Sequence, residues 1–192
     1  MSIRKPLAAT ACAVALVLHS RVPLAAGNMS GTLQARMTLT ASCAVSGAAV
    51  SGTSGVSFGT LDFGSQPSTF TGVLVANPSG GAGGAGATEI ACSPDVAAVA
   101  VAVSAGNNPG QGAAVGTGTR ALKHGTSYLP YEVYSDAALA TAFPAAATPL
   151  GVALPGTGAP IALPVFGRIN KTNTSAMPAG SYVDVLQVTI SW

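Results

Sequence analysis

The chain has 192 residues, of which 48% are hydrophobic and only 7% charged, with 24 Gly, 13 Pro and 5% aromatic residues. Its length sets one ordinary domain, alone or behind a targeting segment. An ordinary domain carries roughly 25% charged residues, so this composition excludes an ion-pair-laced helical protein and a nucleic-acid binder. A chain this apolar is not a disordered one either; it points to β-structure packed into something larger, outside the cytosol.

The first 27 positions hold three of the eight basic residues, Arg4, Lys5 and Arg21, and no acid. A basic start, a 13-residue apolar run from Pro6 to Leu18 and a close on Ala25, Ala26 and Gly27 form the layout of a secretory signal peptide over 1–27. The apolar run is too short for an ordinary membrane-spanning helix. Cys12 lies inside that run, not at the head of a mature-looking chain, so it does not read as a lipid attachment site. Removing 27 residues leaves 165, with five basic residues (Arg36, Arg120, Lys123, Arg168, Lys171) and six acidic ones (Asp62, Glu89, Asp95, Glu132, Asp136, Asp184). The formal charge of +2 therefore belongs to the leader. Cys43 and Cys92 remain, and an even count in an oxidising compartment reads as a bridge. Neither cysteine has a His or a second Cys at metal-ligand spacing.

From Leu33 to Val45 apolar and polar residues alternate, with Leu33, Ala35, Met37, Leu39, Ala41, Cys43 and Val45 on one face. This is the period-2 pattern of a half-buried strand. Thirteen residues would reach about 43 Å at about 3.3 Å each, more than one small domain uses. Either the strand bends, or its first half belongs to a neighbour. Shorter strands are expected over 56–63, 70–76, 87–92, 96–105, 119–123, 128–134, 161–169 and 181–192, an all-β pattern of sandwich or barrel type. The Ala-rich stretch 137–147 has the composition of a helical turn, interrupted by Pro144 and bounded by Pro149. The segments 79–86 and 106–118 read as Gly-rich loops.

In the last segment Leu186, Val188, Ile190 and Trp192 share one face, and the pattern runs to the final residue. A strand that ends fully patterned leaves an edge that another chain must cover. A surplus strand at the start and a missing one at the end fit strand donation between subunits. Such a head-to-tail contact need not close, and it grows a filament.

The chain after residue 27 carries, in order, TASC at 40–43, FGTLDFG at 58–64, EIACS at 89–93, TRALK at 119–123, LPYEVYSD at 129–136, PVFGRI at 164–169 and AGSYVDVLQVTISW at 179–192. With these motifs it resembles the spore coat protein U domain, and more closely the pilin subunits of archaic (Csu-type) chaperone-usher pili. The resemblance implies an incomplete immunoglobulin-like β-sandwich over 43–192 that lacks its final strand, a Cys43–Cys92 disulfide, and an N-terminal donor strand over 28–42. The donor side chains would be Leu33, Ala35, Met37, Leu39 and Ala41. The strand from Tyr182 through Leu186, Val188, Ile190 and Trp192 would border the acceptor groove and meet a periplasmic chaperone. The implied partners are other pilin subunits, that chaperone and an outer-membrane usher. The implied destination is the cell surface, reached through the periplasm, where a fibre supports adhesion and biofilm formation. The competing reading is a monomeric secreted β-sandwich that binds carbohydrate or another surface.

Catalytic readings find little to stand on, and neither a cofactor nor a metal is expected. Gly81, Gly83 and Gly86 satisfy GxGxxG, but no helix pattern follows as a dinucleotide site requires. His124 is the only histidine after residue 27, which leaves no multi-His metal site. It reads as a surface residue at a strand end. Asp62 and Asp184 read as carboxylates fixing a turn or a strand end. Tyr128 and Tyr134 fall on one strand face, with Tyr131 and Leu129 on the other, which suits packing on both sides of a sheet. Asn28, Asn170 and Asn173 begin glycosylation sequons of a common kind.

Overall fold

A computed structural model describes residues 28–45, 48–50, 55–83 and 85–192. The leader 1–27 and Cys12 lie outside the described residues. The chain divides into two units, Met1–Thr38 and Leu39–Trp192. In the first, the described residues 28–38 carry neither helix nor strand.

Among its described residues the second unit is all-β, as the alternation predicts, apart from a 3-10 turn at Gly81–Gly83. Its strands are β1 (Cys43–Val45), β2 (Ala48–Val50), β3 (Thr60–Leu61), β4 (Gly72–Ala76), β5 (Pro78–Ser79), β6 (Glu89–Cys92) and β7 (Ala98–Val103). They continue with β8 (Gly116–Thr117), β9 (Arg120–His124), β10 (Ser127–Tyr134), β11 (Leu150–Ala153), β12 (Ile161–Ala162), β13 (Phe166–Lys171) and β14 (Val188–Ser191). These form open sheets in the orders β12-β6-β1-β2, β4-β13-β10-β9 with β8 also on β13, β11-β7-β14, and β3-β5. Every pairing is antiparallel.

The core collects the inward residues of the central strands: Val99, Val101 and Val103 from β7, Leu129, Tyr131 and Val133 from β10, with Ile90, Leu163 and Ile169. Cys43 of β1 stands opposite Cys92 of β6, and the two are joined by the expected disulfide across 49 positions of sequence. Closing a loop of that length stabilises the fold by about 4 kcal/mol in the chain-entropy account.

Several expected elements differ from the alternation, each for a local reason. The run 33–45 forms a strand only at Cys43–Val45, because residues 28–42 pair with no strand among the described residues and pattern alone supplies no ladder. The run 56–63 pairs only at Thr60–Leu61. Its inward positions slip phase, from Val56 and Phe58 to Leu61 and Phe63, across Gly59 with φ of 88°. The run 161–169 divides into β12 on one sheet and β13 on another. Pro164, which has no N–H for a ladder, stands between them, and Val165 N–H donates back to Leu163 C=O at 2.8 Å. No helix forms over 137–147. The Asp136 carboxylate instead accepts from Ala140 N–H at 3.1 Å and Thr141 N–H at 2.7 Å, closing a turn, and Phe143 N–H donates to Val133 C=O at 2.8 Å. These amide bonds hold the Asp136 carboxyl below its usual range. The strands β2, β5, β8 and β11 have no expected counterpart.

The FGTLDFG segment lies against the β13 sheet. Phe63 meets Tyr131 edge-on at 6.2 Å between ring centres. A Cβ on Gly167 would stand 2.8 Å from Phe63 Cζ, so a side chain there would displace that ring. Asp62 accepts from Gly64 N–H at 2.8 Å, the turn-fixing role expected of it.

A buried polar knot joins β7, β9 and β10. Arg120, fully buried, pairs with Glu132 at 2.5 Å, and its remaining N–H groups donate to the carbonyls of Ser104 (2.8 Å), Val103 (3.1 Å) and Phe143 (3.2 Å). Glu132 also accepts from the Thr119 N–H and hydroxyl, each at 3.0 Å. Removing one member of a buried pair strands the other's charge. Arg120→Met is therefore expected to cost about 3–5 kcal/mol in urea unfolding, with Glu132→Gln milder because the amide oxygen still accepts. Equal, sub-kilocalorie effects of both would contradict this account.

Candidate functional site

The terminal segment is built by strict alternation. Tyr182, Asp184, Leu186, Val188 and Ile190 are half-buried, whereas Val183, Val185, Gln187, Thr189 and Ser191 are exposed. Tyr182, Leu186, Val188 and Ile190 pack on the core. Trp192 does not: the ladder stops at Ser191, and the ring is 46% exposed. Trp192 thus departs from Leu186, Val188 and Ile190, with which the alternation groups it on one inward face.

β14 pairs with β7 through Val188↔Val103, Thr189↔Ala102, Ile190↔Val101 and Ser191↔Ala100. Its other edge pairs with no strand among the described residues. Upstream the segment attaches elsewhere: Val183 and Lys123 of β9 exchange main-chain hydrogen bonds at 3.1 and 2.9 Å. Between Val183 and Val188 the chain thus leaves one sheet edge and joins another, with no ladder of its own.

Side chains hold that crossing. Asp184 Oδ2 accepts from the Tyr131 hydroxyl at 2.9 Å, and Oδ1 accepts from Asn107 N–H at 2.8 Å. Gly106, with φ of 73°, lies so close that a Cβ there would stand 2.1 Å from Asp184 Oδ2. Ser104 N–H donates to Gln187 C=O at 2.9 Å, and Gln187 N–H donates to Ser104 Oγ at 2.9 Å. By sequence alone Asp184 is expected to make a local bond fixing a turn or strand end, yet its partners lie 53 and 77 positions away. A signal was present, since Asp184 has the inward parity of Leu186 and Val188, and a carboxylate there must find buried donors. Tyr131 was legible only as packing.

The other expected site residues are placed as follows. Leu33, Ala35, Met37, Leu39 and Ala41 are all exposed, with Leu33 at 98%, Met37 at 82% and Leu39 at 81%. The segment joins the sheet through Ser42, whose C=O accepts from Ser93 N–H at 2.9 Å and whose N–H donates to Ser93 Oγ at 3.2 Å, beside the Cys43–Cys92 bridge. His124 is half-buried at the end of β9, its ring centre 5.3 Å from that of Tyr182. Asn170 Nδ2 donates to Thr117 Oγ1 at 3.2 Å, and Asn173 Nδ2 to Ala114 C=O at 3.0 Å. Among the described residues no group of three His, Cys, Asp or Glu could hold a metal ion.

Burial, reinforced by the Asp184 carboxylate, pushes the Tyr131 phenol far above its usual value. A raised folded-state value means the native state favours the protonated phenol. Its stabilising contribution is complete below about pH 10, the unfolded value, and declines as pH rises beyond it. The expected result is a steeper alkaline loss of stability in the parent chain than in Tyr131→Phe, measured by urea unfolding between pH 9 and 11. At neutral pH the substitution costs about 1 kcal/mol. Parallel pH profiles would contradict this assignment.

Comparison with known proteins adds three findings. The family model for the Spore Coat Protein U domain matches residues 29–189. No curated protein matches the chain. Among solved structures, the chain is similar to a chain of the CsuC–CsuE chaperone–tip adhesion subunit pre-assembly complex from archaic chaperone-usher Csu pili of Acinetobacter baumannii. The identity is 19% and the TM-score 0.43, over 81% of this chain and 40% of that one, so this chain spans less than half the length of that neighbour.

Proposed function

The chain belongs to the Spore Coat Protein U domain family, and from that premise we propose that it is a structural subunit of a chaperone-usher pilus that polymerises by donating residues 33–41 to the next subunit. The family is structural and not enzymatic. In this reading residues 1–27 are a cleaved export signal, 28–42 the donor segment and 43–192 the sandwich that accepts a donor. A periplasmic chaperone caps the acceptor until an outer-membrane usher polymerises the subunits on the cell surface, where the fibre serves adhesion and biofilm formation.

The observation that carries the reading is the half-paired terminal strand. β14 packs its inward row on the core, yet only one of its edges is paired among the described residues. An exposed, apolar, patterned edge is a template for another strand. A matching segment exists in the same sequence: residues 33–41 alternate Leu, Ala, Met, Leu and Ala with polar residues, and these apolar side chains are exposed. Residues 33–41 and 182–190 each span nine positions, about 30 Å when extended. Main-chain hydrogen bonds along that length supply affinity, and alternate side chains supply specificity. Because donor and acceptor are different segments of one chain, the contact is heterologous and propagates.

The test places a charge in the donor row. Met37→Asp and Leu39→Asp each bring a carboxylate to an apolar groove, at a cost of several kcal/mol if it stays ionised. In cells expressing the export cluster, electron microscopy is expected to show fibres with the parent chain and none with either variant, while both variants remain soluble with the chaperone. Fibres of normal length from either variant would overturn the donor assignment.

A further inference from the structure

We propose that Asp184 is a positioning residue for strand uptake: it clamps the terminal segment, before any donor arrives, in the conformation that the donor pairs with. The inference rests on the polymerisation reading above.

An incoming strand needs an edge that is straight and fixed. Between Val183 and Val188 the acceptor chain has no ladder to keep it so, because it is passing from β9 to β7. Left to itself, a four-residue passage of this kind would sample many conformations, and the donor would have to order it while binding, which costs affinity and rate. Asp184 removes that freedom. One carboxylate uses both oxygens, Oδ2 toward the Tyr131 hydroxyl and Oδ1 toward Asn107 N–H. Tyr131 is 2% exposed and packed in the central strand β10, so its hydroxyl is a fixed point in the core and not a solvent-facing group. Gly106 lets the opposing loop approach where any side chain would collide with the carboxylate. Three positions on, Gln187 is fastened to Ser104 through both its N–H and its C=O. Leu186, caught between these fasteners, is held against the core. The clamp thus fixes the residues just ahead of β14, where an incoming strand would register Leu186 and Val188.

A merely stabilising carboxylate and a positioning one differ in what they change. Loss of the first lowers stability alone. Loss of the second slows strand uptake even when the domain is fully folded. The test uses the full chain carrying Met37→Asp and Leu39→Asp, which can accept but not donate, and a fluorescent peptide of residues 28–42 as donor. Uptake is followed by anisotropy at a temperature where circular dichroism shows every variant folded.

Asp184→Ala is expected to slow uptake about tenfold and Tyr131→Phe about threefold, in keeping with one or two lost buried hydrogen bonds. Asp184→Asn, which keeps an acceptor oxygen for the clamp, is expected to stay within about twofold of the parent. If the parent acceptor takes up peptide and both Asp184→Ala and Tyr131→Phe match its rate, the positioning role is wrong and the polymerisation reading stands. If the parent acceptor takes up no peptide, the polymerisation reading falls and this inference with it. Should Asp184→Ala not fold, Tyr131→Phe, which leaves the Asn107 bond in place, decides alone.

Discussion

β14 has hydrogen-bonding groups along two edges, and β7 satisfies only one of them. Backbone N–H and C=O groups are obligatory partners in folded proteins, so an apolar edge strand left open is a state that asks for completion. Much else in the domain serves to hold that edge in place. β7 lies at the middle of its sheet with Val99, Val101 and Val103 fully enclosed, which makes it a rigid backing for β14. The knot around Arg120 ties the end of β7 to β9 and β10 through the Val103 and Ser104 carbonyls. The same Ser104 then grips Gln187. A path of satisfied polar contacts therefore runs from the buried Arg120–Glu132 pair to the start of the open strand.

The scarcity of charge takes on a physical meaning here. With 7% charged residues, the chain still uses several for internal fastening rather than for solvation. Arg120, Glu132 and Lys171 are buried, and Lys171 donates to the carbonyls of Asn173 and Ser175, with its ammonium 5.5 Å from the centre of the Phe70 ring. Such groups are costly to bury unless fully hydrogen-bonded, and no buried side-chain polar atom of the described residues lacks a partner. The result is a domain made rigid by a few polar knots, with apolar rows free to meet other strands.

Alternation made the strands with long two-sided pairing legible. β7, β10 and the half-buried rhythm of 182–190 follow from period 2 alone, and the disulfide follows from the two cysteines left after residue 27. Phase slips and sheet switches were not legible, because they depend on backbone geometry at single residues. Gly59 shifts the inward row of the FGTLDFG segment, Pro164 hands the chain from β6 to β10, and Asp136 closes a turn where an Ala-rich composition suggested helix. Short strands such as β8 form because a neighbour's edge is available, which no local pattern records. The Asp184 clamp lay between these cases. Its inward parity was visible, whereas its partner Tyr131 could be found only once β10 and the terminal segment were brought together.

Strand donation requires that residues 33–41 of another subunit cover the open edge of β14 in the assembled state. A cryo-electron microscopy structure of the fibre at side-chain resolution measures this directly. The account predicts residues 33–41 of one subunit running along β14 of the next, main chain to main chain, with Leu33, Met37 and Leu39 pointing into the sandwich. A fibre in which that edge stays unpaired, or in which 33–41 remains exposed, would contradict it.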